Sequence, residues 1–270
     1  MAAFAGPLPY RPTSEGQGLL LAAAPPAVTG TDPGRLRPWR LRAARLFDPK
    51  AMEVVADYFA AARPFVELRV CAGAAAEADW DALAALLGRL RELAPEGVLR
   101  LELWFGDGEP RAPSALALAR LRAARPLFVH AWVQEQSDLT PAASAVWIRL
   151  LEGGLPVAAE ILLRRGGTDT VAALRRLCLA LQEARVRPYA LVDAAWLPDA
   201  ERVPEADAAD LVKGLRGWIS GLAVPQWVEE SAGGVRAVRI PAYLTRLDDG
   251  GAELVGYEGR RHRYPNPPEE

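Results

Sequence analysis

Short runs of aliphatic and β-branched residues alternate along this chain with longer stretches whose apolar positions recur every three or four residues. That alternation is the pattern of βα units around a parallel sheet, an α/β fold. The short runs predict six strands, at 18–24, 65–72, 99–105, 127–133, 157–163 and 188–193. The stretches of helical period predict helices at 49–62, 79–93, 114–124, 140–153, 170–184 and 205–217. In the fifth of these, Val171, Leu174, Leu177, Cys178 and Leu181 fall on one face. Asp48 before Pro49, and Thr140 before Pro141, predict N-caps followed by proline at the first helical position, where a missing N–H costs nothing. The pair Gly153 and Gly154 predicts a helix end.

After Ser220 the texture changes to strands at 227–230, 235–244 and 252–264, with a hairpin turn from Asp248 to Gly251. The chain therefore divides into a tail over 1–16, a βα region over 17–217 and a β-rich extension over 218–270. Six βα units fit either a partial barrel or a doubly wound open sheet, and the pattern alone does not choose.

Composition narrows the functional classes. A chain of 270 residues with 51% apolar content buries a substantial core. Its net charge of −2 lacks the cationic excess of a polyanion binder, so nucleic acid is not an expected partner. Two cysteines without paired spacing, Cys71 and Cys178, and an N-terminus without a signal-like pattern fit a reducing, cytoplasmic setting. No run approaches the length of a membrane span. Of 32 basic residues only Lys50 and Lys213 are lysines, which leaves few candidates for a Schiff base.

Three stretches carry a family resemblance: LVKGLRGWISGLAVP from Leu211 to Pro225, the segment from Trp227 to Pro241, and that from Tyr257 to Pro265. Together they resemble the C-terminal segment of lysine 2,3-aminomutases, enzymes of the radical S-adenosylmethionine superfamily, and the resemblance extends back to Gln17. It selects the partial (β/α)6 TIM-like barrel of that superfamily, followed by a β-rich extension. It also implies an iron–sulfur cluster, S-adenosylmethionine and pyridoxal phosphate as the family's cofactors.

The positions that carry the family's chemistry are largely changed here. The three cluster cysteines, in C-x₃-C-x₂-C spacing, fall on Pro26, Gly30 and Pro33, whose side chains offer no ligand atom. Of the glycine-rich turn that contacts S-adenosylmethionine, Gly73 is kept and Ala74 replaces the acidic residue. The lysine that forms the pyridoxal aldimine falls on Arg239, whose guanidinium stays protonated and forms no Schiff base. The two acidic residues that hold the substrate's side-chain amine map to Ala195 and Glu230, and the arginine that holds its carboxylate maps to Arg35. Arg35 lies in a segment rich in arginine and reads either as part of a solvated face or as a kept anion site. The fourth predicted strand reads His130 to Glu135 where the family has asparagine and histidine side chains, and Ala159 and Glu160 replace an Asn-Gln pair on the fifth.

These readings lead to an expected function. The chain resembles a catalytically inactive aminomutase paralogue, with no cofactor of its own and a role as partner or regulator of another protein, such as a cysteine-complete relative. The alternative is an amino-acid binder or non-radical enzyme in a rebuilt cavity, with Arg35, His130, Glu160, Asp193 and Glu230 as its polar contacts and His130 as acid or base. Residual aminomutase activity is a third reading, opposed by the missing lysine. Trp132, Trp196 and Trp218 are expected at the cavity or its rim, either filling a vacated site or forming an aromatic cage.

Overall fold

In the computed structural model, the described residues are 67–230 except 107, the strand segments 39–42, 236–239, 244–248, 251–255 and 261–264, and the helical residues 50, 52, 53 and 56. The first predicted strand, at 18–24, the Asp48 cap and Arg35 lie outside them.

The main sheet runs β1 (Trp39–Arg42), β2 (Glu67–Ala74), β3 (Val98–Trp104), β4 (Leu127–Val133), β5 (Val157–Leu162), β6 (Arg187–Ala194), β7 (Gln226–Glu230) and β8 (Arg236–Arg239). Spatial order equals sequence order throughout. Strands β1 to β7 pair in parallel and β8 returns antiparallel to β7. Helices α1 (Trp80–Leu93), α2 (Ala115–Ala123), α3 (Pro141–Glu152), α4 (Val171–Glu183) and α5 (Glu205–Leu215) make the crossovers from β2 to β7. A doubly wound sheet reverses its strand order at a switch point. This one never does, so right-handed crossovers place every helix on one face and the sheet curls away from them.

The curl is fixed by one contact. Arg69 on β2 lies 3.4 Å from Glu230 on β7. Five strand spacings separate β2 from β7, about 24 Å in a flat sheet at ~4.8 Å each, beyond the reach of the two side chains. The sheet is a partial barrel.

Local chemistry sets the helix ends. Asp79, Ser114, Thr140 and Thr170 each accept backbone N–H bonds at the start of α1, α2, α3 and α4. Helix α3 ends at Gly153 and Gly154, the latter at φ +77°. Leu155 N–H reaches Leu150 C=O and Gly154 N–H reaches Leu151 C=O, the paired bonds of a Schellman end. Helix α4 ends the same way, with Arg185 at φ 62° in the position usually given to glycine.

The C-terminal region departs from its predicted outline. The strand expected at 227–230 joins the parallel sheet as β7; within the one expected at 235–244, residues 236–239 form β8, and Leu244 begins β9 (Leu244–Asp248), which belongs to a second sheet. The expected 252–264 strand is two, β10 (Gly251–Val255) and β11 (Arg261–Tyr264), which form an antiparallel sheet with β9. Asp248 faces Gly251 across the predicted hairpin turn. Among the described residues no helix is long and apolar enough to cross a membrane.

Candidate functional site

The sheet has two unlike faces because its strands alternate. On β3, Leu99, Leu101 and Leu103 belong to the large core beneath the helices. Arg100, Glu102 and Trp104 point the other way, into the barrel. Strand β2 does the same, with Leu68 and Val70 outward and Arg69 and Cys71 inward.

Inside, charged side chains from four strands and His130 from a fifth form one chain of contacts. Arg69 Nε donates to Glu102 Oε1 at 2.7 Å, and Arg69 Nη2 donates to Glu230 Oε2 at 3.4 Å. Arg100 Nε lies 3.0 Å from the same Glu102 oxygen, and Arg100 Nη2 donates to Glu160 Oε1. His130 Nδ1 lies 2.7 Å from Glu160 Oε1. The other oxygens of two carboxylates are held by neutral donors, Cys71 Sγ on Glu102 Oε2 at 3.3 Å and Trp196 Nε1 on Glu230 Oε1 at 3.4 Å. Glu102, Glu160 and Glu230 are 1%, 0% and 0% exposed, and Arg69 is 2%. Charges this deep are tolerated because they are paired.

Position sets their proton affinities. Burial alone would loosen the Arg69 proton, but Glu102 and Glu230 outweigh it and raise its pKa, so it is a fixed cation. Burial, with Arg100 nearby, lowers the His130 pKa from 6.5, and the hydrogen bond to Glu160 only partly offsets this. His130 is thus neutral at pH 7, donating from Nδ1. The edge of the network toward the strand starts is marked by Glu67, 3.6 Å from Arg100 Nη1, and by Tyr189, whose ring stands edge-on to His130 and 5.8 Å from Arg100.

Two residues beyond Glu102, His130 and Glu160, toward the C-terminal ends of β3, β4 and β5 where barrel enzymes hold reactive groups, the interior positions are the apolar Trp104, Trp132 and Leu162, whereas Glu230 is itself the last residue of β7. Trp104 and Trp132 stack at 4.7 Å with an 18° interplanar angle, and Trp196 meets Trp104 edge-on at 6.3 Å. Leu162, Val192, Ala194, Leu197 and Val228 belong to the same cluster, together with Cys71 and Ala190. Trp132 is 0% exposed and Trp104 is 2%. The loop after β4 is anchored beside it: Asp138 accepts from the N–H groups of Gln134 and Glu135 and crowds Gly106, where a Cβ would sit 2.4 Å from Asp138 Oδ1.

Of the candidate residues, His130, Glu160 and Glu230 come together in this network. Asp193 does not: it shares the outward face of β6 with Leu191 and lies 3.9 Å from Arg202 Nη2. Trp218 is 60% exposed on the connector from α5 to β7, away from the C-terminal end of the barrel, which corrects its expected place at the rim. Lys213 lies on α5 with Asp210 3.5 Å away. The glycine-rich stretch at Gly166 is an internally bonded turn, in which Gly166 N–H donates to Asp169 and Thr168 Oγ1 donates to Leu162 C=O.

Arg69, Arg100 and Glu102 carry most of the network and were missed in the sequence reading. The signal was present: the charged residues Arg100 and Glu102, followed by Trp104, alternate in phase with leucines on a strand flanked by helices on both sides in sequence. The two cysteines lie on opposite faces, Cys71 in the barrel and Cys178 in the helix-side core, where burial pushes its thiol up to about 12. Among the described residues no group of three His, Cys, Asp or Glu side chains is placed to hold a metal ion. Arg239 ends β8, in register with Trp227.

No family model matches the chain. Among characterised proteins it is similar to the L-lysine 2,3-aminomutase of Fusobacterium nucleatum, 29% identical over 150 residues, 54% of this chain and 35% of that one. The enzyme of the same name from Acetoanaerobium sticklandii is 23% identical over 223 residues, 82% of this chain and 54% of its own. The glutamate 2,3-aminomutase of Clostridioides difficile is 21% identical over 76% of this chain and 49% of its own. The chain thus spans about half, or less, of the length of these relatives. Among solved structures, the carboxyl transferase domain of Rhizobium etli pyruvate carboxylase aligns with 74% of this chain and 40% of its own at TM-score 0.46 and 16% identity. Streptococcus suis SuiB bound to S-adenosylmethionine aligns with 62% of this chain and 38% of its own at TM-score 0.42 and 12% identity. Neither structural score carries an inference. The recurrent sequence similarity does: over 54% to 82% of its length the chain is similar to L-lysine 2,3-aminomutases, and its own fold is an α/β partial barrel.

Proposed function

We propose that this protein keeps the aminomutase frame without the aminomutase reaction, and acts as a partner or regulator of another protein. The observation that carries the reading is the Trp104–Trp132 stack, buried toward the C-terminal ends of β3 and β4, on the side where a reaction centre stands in barrel enzymes. The polar groups beneath it are engaged with one another instead of converging on open space.

The residues present do not fit the family's cofactors. A thiolate-held cluster needs cysteines that this chain lacks at Pro26, Gly30 and Pro33. Cys71 and Cys178, on opposite faces of the sheet, cannot substitute for them. Arg239 in the aldimine position cannot form the imine.

The rebuilt-cavity alternative has less support, since Asp193 faces away from the interior and Glu160 and Glu230 already hold internal cations or donors. The test of the partner role is an anaerobic tagged pull-down from the native host with mass spectrometry. Stoichiometric recovery of a cysteine-complete aminomutase relative is the expected result. Recovery of the chain alone would overturn the role and return attention to small amino-acid ligands.

A further inference from the structure

The interior of the barrel contains two carboxylates, Glu102 from β3 and Glu230 from β7, that converge on a single guanidinium. Each is oriented by a neutral donor on its far oxygen, Cys71 Sγ for Glu102 and Trp196 Nε1 for Glu230. The near oxygens, Glu102 Oε1 and Glu230 Oε2, are thereby turned toward the same point. Arg69 reaches that point from β2, fully desolvated, with Nε on one acid and Nη2 on the other. Two acids from distant strands, preset by separate donors and meeting around one planar cation, have the construction of a receptor.

We propose that the barrel interior is an organic-cation site occupied by the protein's own Arg69, a tethered ligand that closes the barrel and excludes free cations of the same chemistry. Glu102 and Glu230 form the receptor, and a guanidinium or alkylguanidinium ion is the ligand class. The neighbouring Arg100 shares Glu102 Oε1 but also binds Glu160, so it anchors one acid in place and leaves the position between Glu102 and Glu230 to Arg69. The inference concerns what fills the barrel and does not rest on the partner reading.

The test is chemical rescue of the full chain carrying Arg69→Ala, with ethylguanidinium as probe, since it matches the guanidinium and the adjoining methylenes that the substitution removes. Thermal unfolding of the variant is expected to shift upward with the logarithm of millimolar ethylguanidinium, as for a ligand that binds only the folded state. Ethylurea and sodium chloride at matched concentrations should give no such shift, and wild type should not respond because its site is filled. An equal response of wild type and variant, or none in either, would overturn the inference. So would a full response in Arg69→Ala/Glu230→Gln, which lacks half the receptor. If Arg69→Ala does not fold alone, the readout becomes refolded yield: a rise with ethylguanidinium but not ethylurea supports the site, and no rise refutes it.

Discussion

Removing the Trp132 side chain tests whether the C-terminal end of the barrel is packed solid. Trp132 is 0% exposed and stacked on Trp104. A tryptophan buries roughly 150–250 Å², which at about 25 cal/mol per Å² gives ~4–6 kcal/mol as an upper bound. Measured truncations of buried aromatics to alanine cost about 3–5 kcal/mol, cavity included. Trp132→Ala should therefore lose about 3–5 kcal/mol in urea or guanidinium unfolding, with an unchanged slope. For a chain of this size that corresponds to a Tm fall on the order of 6–20 °C. The control is Trp218→Ala, at an exposed site, which should stay within about 0.5 kcal/mol. A cost below about 1 kcal/mol at Trp132 would mean that the stack borders open, hydrated space, and the filled-barrel reasoning would fail.

Other expectations follow from single side chains. Because the folded His130 pKa lies below 6.5, its contribution to stability is complete above that pH and is lost as pH falls through 6.5 toward the folded value. Unfolding free energies from pH 7 to 5 should therefore decline more steeply in wild type than in His130→Gln. Glu230→Gln removes a buried charge from Arg69 and should destabilise by about 3–5 kcal/mol in equilibrium unfolding, as in other broken buried pairs; a loss under about 1 kcal/mol would show that the contact does not close the barrel. Arg185→Gly relieves a left-handed residue at the end of α4 and should stabilise by about 0.5–1 kcal/mol, since a strain of ~1–2 kcal/mol exceeds the added chain entropy. A lower Tm for that variant would contradict the assignment of the helix end.

The strands from β2 to β6 and the five helices were legible in the sequence because each has a period and an end signal of its own. Thr140 with Pro141 and the Gly153–Gly154 pair acted as expected. The choice between barrel and open sheet was not legible from periodicity, since both read as alternating βα units; strand order and the Arg69–Glu230 contact decide it. Strand β7 was assigned to the extension because the sequence after Ser220 changes to strands and turns, although its hydrogen bonds join it to β6. The interior network was only half visible. His130, Glu160 and Glu230 stood out beside the family pattern, whereas nothing in that pattern marks Arg69 or Arg100, which alternate with apolar residues on β2 and β3. On a barrel whose apolar face is turned toward helices, that alternation points the charges inward. Asp193 sits beside interior positions in sequence, yet the period of two sends its side chain to the other face.

The claim that the frame persists without a reaction centre is tested most directly by anaerobic reconstitution of the purified chain with iron, sulfide and pyridoxal phosphate, followed by iron analysis and absorbance. The expected result is no protein-bound cluster iron and no aldimine band. Stoichiometric cluster iron together with an aldimine absorbance would contradict it.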